Sequence, residues 1–168
     1  MIELTNVLKE QLALRVEKGI TNQMDEIIRK MGELSKKFAI AGKDKKSPFR
    51  NVLGVSVDSS SSLEVIKNYI RYQIGRSGSS PIWTTPKDQE IFAVALVKEL
   101  DDLKQDAELI VKNVQKCIPK GHNLEPYIED KNNQHQLIKH IHMKLVQLYL
   151  GYLAREHTAS VGELNLNK

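Results

Sequence analysis

Residues 86–118, PKDQEIFAVALVKELDDLKQDAELIVKNVQKCI, contain no glycine and, after Pro86, no proline. Along them Leu96, Leu100, Leu103, Ala107, Ile110, Val114 and Cys117 recur in alternating steps of four and three, which sets them on one seam of a helix. The stretch predicts one long helix, opened by Thr85-Pro86 and closed by Pro119. At about 1.5 Å per residue it would be roughly 48 Å long. An apolar seam of that length needs other helices to cover it, and the flanking sequence supplies them.

Upstream, Thr5 is placed to cap a helix to Lys18, with Val7, Leu8, Leu12 and Val16 inward and Gly19 as its stop. After Thr21 as a second N-cap, Met24, Ile27, Ile28, Met31, Leu34 and Phe38 keep helical spacing as far as Gly42. Ser47-Pro48 opens a short helix with Phe49, Val52, Leu53 and Val57 inward. Ser61 and Glu64 have capping-box spacing and introduce a helix burying Leu63, Ile66, Tyr69, Ile70 and Ile74. Gly78, Ser79, Ser80 and Pro81 mark a loop that also holds the single tryptophan, Trp83.

Downstream, a polar connection from Gly121 to Lys131 leads to Asn133 and Gln136, which open a last helix to about Glu156. The tail from Ser160 is expected to fray. No β-alternation is evident, and the whole reads as an all-α helical bundle of about six helices, two of them long, in a single domain spanning 1–168. A chain of this size can bury a core without disulfides or metals. Its apolar content of 40% and charged content of 27% are those of a globular protein and exclude disorder throughout.

The lone cysteine, Cys117, excludes a disulfide framework within the chain, and its seam position predicts a buried thiol. The N-terminal residues lack a basic segment followed by an apolar one, and no run approaches the ~20 apolar residues of a membrane span. A cytoplasmic protein with no membrane partner is expected.

Charge is unevenly distributed about a net +4. Lys36, Lys37, Lys43, Lys45, Lys46 and Arg50 stand against Asp44 alone, whereas residues 87–118 carry five lysines and seven acids. A basic end and an acidic flank suit a polyanion or head-to-tail assembly, as well as an ordinary solvated surface. Arg71 and Arg76, with Tyr72, lie near the Gly-Ser loop and Trp83, where an aromatic beside guanidinium groups could stack an unpaired base. The alternative for Trp83 is an anchor pinning its loop to the bundle.

Motifs for chemistry are missing: no phosphate-binding glycine loop, dinucleotide fingerprint or H-E-x-x-H occurs. The histidines, His122, His135, His140, His142 and His157, all lie in the last third. His135 and His142 share a helix face, but neither has a carboxylate or histidine four residues away to complete a ligand pair. The Glu99, Asp102 and Asp106 cluster is interleaved with Lys98 and Lys104, which favours a solvated face over a Mg²⁺ site. No catalytic residue, metal or cofactor is expected.

HEPN ribonucleases offer an all-helical comparison, with an arginine four to six residues before a histidine. Here Arg155 is only two residues before His157, and Lys131 to His135 begins with a lysine, which lacks the planar fork that grips phosphate oxygens. Only a degenerate HEPN-like ribonuclease would fit.

Ser47-Pro48-Phe49-Arg50-Asn51-Val52-Leu53, the serine-rich turn, and the segment from Val65 to Arg76 resemble the middle of the small helical subunits of type III CRISPR effector complexes. The resemblance covers about a third of the chain, is a pattern of helix lengths and polar residues, and leaves the histidine-bearing last helix unaccounted for. It implies a non-catalytic helical subunit of an RNA-guided ribonucleoprotein. Such a subunit touches the backbone of single-stranded RNA or a guide-target duplex with basic residues, and stacks on other subunits. The remaining alternative is a helical homodimer or adaptor. Its interface would be the last helix, where Leu145, Leu148, Tyr149, Tyr152 and Leu153 present apolar surface almost all round.

Overall fold

The computed structural model describes residues 3–58 and 60–168. Its elements in order are helices α1 (Asn6–Phe38), α2 (Phe49–Val57) and α3 (Leu63–Gly75), a hairpin of β1 (Pro86–Lys87) and β2 (Glu90–Ile91), then α4 (Phe92–Cys117), α5 (Glu125–Glu129) and α6 (Lys131–Leu166). Short 3₁₀ turns lie at Ile40–Gly42 and Pro81–Thr84. The fold is an all-α helical bundle, but among the described residues three helices are long rather than two, because the two expected N-terminal helices are one. The chain divides into two compact units, Met1–Glu26 with Asp102–Leu145 and Ile27–Asp101 with Val146–Lys168, and α1, α4 and α6 each contribute to both.

The first unit explains why α1 does not stop at Gly19. A Cβ built on that residue would lie 2.8 Å from Ile110 Cγ2, so the glycine serves a close approach of α1 to α4. Thr21 does not cap a second helix either; its hydroxyl donates to the Glu17 carbonyl one turn back, at 3.0 Å. The true N-terminal signal is Thr5, whose Oγ1 accepts from the Leu8 amide. Leu12, Val16 and Ile20 of α1 are buried, as are Leu103, Ala107, Ile110 and Val114 of the α4 seam, whereas Val7 is 63% exposed. Gln23 crosses from α1 to donate to Asp106 at 2.8 Å. Cys117, expected to be buried, is exposed, and its carbonyl accepts from Arg15. The seam closes instead on Ile118.

The connection from Gly121 is not featureless: Glu125 accepts from the Gly121 amide and α5 forms behind it. Asp130 rather than Asn133 caps α6, accepting from the Asn133 amide at 2.9 Å. His135 and His142 do share a face of α6, where with Lys104, Ile138 and Lys139 they line a hollow of about 240 Å³. Among the described residues no three His, Cys, Asp or Glu side chains come together as metal ligands.

The second unit is built around aromatic rings. Phe49 packs edge-on against Trp83 and His157 and tilted against Phe92, which in turn meets Phe38 edge-on. Helix α1 ends at Phe38 because Ala39 turns into the left-handed region, φ 48°, sending Ile40 into the core. Pro86 does not open α4. The segment before it is tied into the 3₁₀ turn, with the Thr85 hydroxyl donating to the Pro81 carbonyl and the Thr85 amide to that of Ile82. The chain then reverses through Asp88 and Gln89, both at positive φ, before α4 begins with buried Phe92. The expected absence of β structure is thus corrected, among the described residues, by one two-residue pair, Pro86 opposite Ile91 and Lys87 opposite Glu90.

Helix α3 is capped by Ser62 rather than Ser61, one residue later than the capping-box spacing indicated. Its buried face carries Ile66, Ile70 and Gln73, while Ile74 lies outside, and Val57 of α2 is likewise exposed. Helix α6 continues through the expected fraying point at Ser160 to Leu166. Among the residues proposed for a partner interface, Leu145, Tyr149 and Leu153 are buried within this chain. Only Leu148 and Tyr152 keep part of their surface, so the all-round apolar character of α6 is consumed largely by the chain's own packing. No helix among the described residues is long and apolar enough to cross a membrane.

Candidate nucleic-acid interface

All eight basic residues singled out from the sequence, Lys36, Lys37, Lys43, Lys45, Lys46, Arg50, Arg71 and Arg76, belong to the second unit and are exposed. They are not equivalent. Lys37 is occupied by Asp88 and Glu90 of the hairpin, at 3.7 and 3.5 Å, so two carboxylates offset its charge. Lys36 borders a groove with Glu156 and Glu163 of α6, an environment that does not favour an anion. Arg50 and Arg71 lie on α2 and α3 and are exposed.

Lys43, Lys45 and Lys46 do converge. The loop after the first 3₁₀ turn brings them, with Lys168, to a groove of about 630 Å³ whose other wall is Val161, Leu164 and Asn165 at the end of α6. Lys46 also faces a second hollow of about 400 Å³, and there it joins Arg76. That hollow gathers three segments far apart in sequence: the loop from Asp44 into α2 as far as Asn51, the α3 residues Tyr69 and Gln73, and the turn from Gly78 to Pro81.

Asp44 organises the loop. Its Oδ1 accepts from the Lys46 amide at 3.0 Å and its Oδ2 from the Ser80 hydroxyl at 2.7 Å, while its carbonyl accepts from buried His157 at 2.8 Å. Facing a carbonyl, His157 Nε2 must carry its proton. The Ser80 hydroxyl holds the Asp44 carboxyl below its ordinary value; burial opposes it, and the Lys46 amide and the positive potential of His157 and Lys46 add to the lowering. The second hollow therefore carries two cations and one carboxylate that is already hydrogen-bonded.

Trp83 is 1% exposed and packs on Phe49, so it anchors its loop and is not free to stack a base. Tyr72 is exposed and available. Arg155 lies over the Tyr152 ring while His157 is turned into the core, an arrangement that does not pair them on one phosphate. Sequence reasoning missed Asp44, Asn51, Tyr69, Gln73, Ser79 and Ser80. One signal was available: Gln73 stands three residues after Ile70 and seven after Ile66, a polar side chain on the apolar face of α3.

In comparisons with known proteins the chain matches no family model, no curated protein and no solved structure.

Proposed function

We propose that this chain is a non-catalytic, RNA-binding helical subunit of a ribonucleoprotein assembly of the CRISPR type. It contacts the RNA or target-strand backbone through the Lys43–Lys46 loop and joins other subunits. The observation that carries the reading is the convergence of Lys43, Lys45 and Lys46 on one groove, with Arg76 meeting Lys46 at the adjoining polar hollow. Backbone phosphates are the natural partners of such exposed cations, since neutralising each releases counterions from the strand. The limited resemblance to type III small subunits supplies the assembly.

Filter binding of a generic single-stranded RNA at several salt concentrations tests the proposal. Affinity should fall steeply between about 50 and 200 mM salt. Replacing Lys43, Lys45 and Lys46 with alanine should weaken binding and flatten the log–log salt slope by about 2, the share of three single-strand contacts. An unchanged slope removes the loop from the interface, and no binding at low salt leaves the adaptor reading in its place.

A further inference from the structure

The geometry points to the hollow between the Asp44–Asn51 segment, α3 and the Gly78–Pro81 turn as a binding site for a phosphate monoester, held by Arg76, Lys46 and the α2 N-terminus. It rests on the same surface as the RNA reading but asks for a phosphate group in a pocket rather than a strand across a groove. Three independent features of the hollow carry it.

The first is charge. Arg76 and Lys46 reach it from different elements, against the one carboxylate of Asp44, whose two oxygens are already engaged by Ser80 and the Lys46 amide. A guanidinium matches phosphate oxygens bidentately, and an ammonium adds a second charge-assisted bond. The second is the start of α2, nine residues long: Ser47 and the N-cap Pro48 before it and Asn51 in its first turn form part of the wall, and the Phe49 amide is already taken by the Ser47 hydroxyl. The positive end of the helix dipole, with the amides that follow Phe49 in the first turn, favours an anion there.

The third is Gln73. It is 5% exposed, it lines the hollow, and Ser79 donates to its Oε1 at 3.2 Å, yet its buried Nε2 has no hydrogen-bond partner among the described residues. An orphaned amide donor costs stability unless something accepts from it, and the Ser79 turn that covers it pivots on Gly78 at φ 74°. A small adjustment of that turn would bring a phosphate oxygen to the amide. The hollow, about 400 Å³, has room for one nucleotide.

The phosphate could belong to the 5′ end of an RNA or to a free nucleotide, and the test separates them. The full chain is titrated with inorganic phosphate, adenosine 5′-monophosphate and adenosine, following heat and the fluorescence of Trp83, the single tryptophan and part of the wall. Phosphate and the nucleotide should bind and adenosine should not. One RNA is then compared with a 5′-phosphate and with a 5′-hydroxyl. Tighter binding of the phosphorylated end by roughly tenfold assigns the pocket to strand ends. Equal affinity, with the nucleotide still bound, assigns it to a free ligand. Arg76→Ala should weaken phosphate binding at least tenfold, and Gln73→Met should weaken it while keeping or raising the melting temperature. Failure of phosphate and nucleotide to bind at millimolar concentration, or unaltered affinity in both variants, overturns the proposal. RNA binding that persists without phosphate binding leaves the RNA reading standing. Phosphate binding without RNA binding does the reverse.

Discussion

Gly19 and Gly32 are both interior to α1, and alanine at the two positions is expected to act in opposite directions. At Gly32 nothing lies within 4 Å of the new methyl, so Gly32→Ala should stabilise by about 1 kcal/mol through helix propensity alone. At Gly19 the methyl meets the stiff, buried Ile110 side chain, and Gly19→Ala should destabilise by about 1–3 kcal/mol in chemical denaturation despite the same propensity gain. Equal, stabilising effects would show that Ile110 yields freely. Tyr149 makes a related point. Its hydroxyl is buried without a partner among the described residues, and burial, then the charge of Glu99, pushes its pKa upward from 10.0. Tyr149→Phe should therefore leave the melting temperature unchanged or higher. A loss of more than about 1 kcal/mol would mean that the hydroxyl is satisfied in solution.

Among elements, the hairpin before α4 and the Asp44 loop each depend on a few polar residues. Asp88 and Gln89 hold positive φ without glycine, which L side chains adopt at a cost of roughly 1–2 kcal/mol each. Gln89→Gly creates Asp-Gly, the favoured sequence for a two-residue turn of this hand, and should stabilise by about 1 kcal/mol. A destabilised variant would show that the turn has another conformation. The Asp44 carboxyl, lowered by the Ser80 hydroxyl first, has a folded pKa below the ordinary 3.8. Its ionised form is thus favoured by folding. That contribution is complete above about pH 4 and is lost as the pH falls through the folded value. Asp44→Asn should be less stable than the parent at pH 7, with the gap closing at pH 3 in denaturant midpoints. A gap that does not change with pH would assign the effect to hydrogen bonding alone.

At the scale of the whole molecule, the charges argued to bind RNA are separable from those that hold the fold. Lys43, Lys45 and Lys46 are exposed loop residues, so their triple alanine variant should keep the parent's circular dichroism and melt within about 1 kcal/mol of it, whatever it does to RNA affinity. Loss of helical signal would make these lysines structural. Helical identity was legible at this scale because the apolar period of α1, α3 and α4 is a local property of the chain. So was the exposure of the basic loop, since charges without partners stay in water. Three features were not legible. Gly19 looks like a helix stop because only the proximity of Ile110 shows what its missing Cβ makes room for. The Lys87–Glu90 turn has no glycine to announce it, and the burial of Phe92 that requires it is a long-range fact. The polar hollow joins residues 44–51, 69–76 and 78–83, and sequence spacing carries no information about such a meeting. Periodicity and charge in the sequence determined that the chain is helical and where it is basic. Which glycine is a break, which apolar surface is spent internally and which polar groups share a cavity were decided by tertiary packing, because each depends on a neighbour the local sequence does not contain.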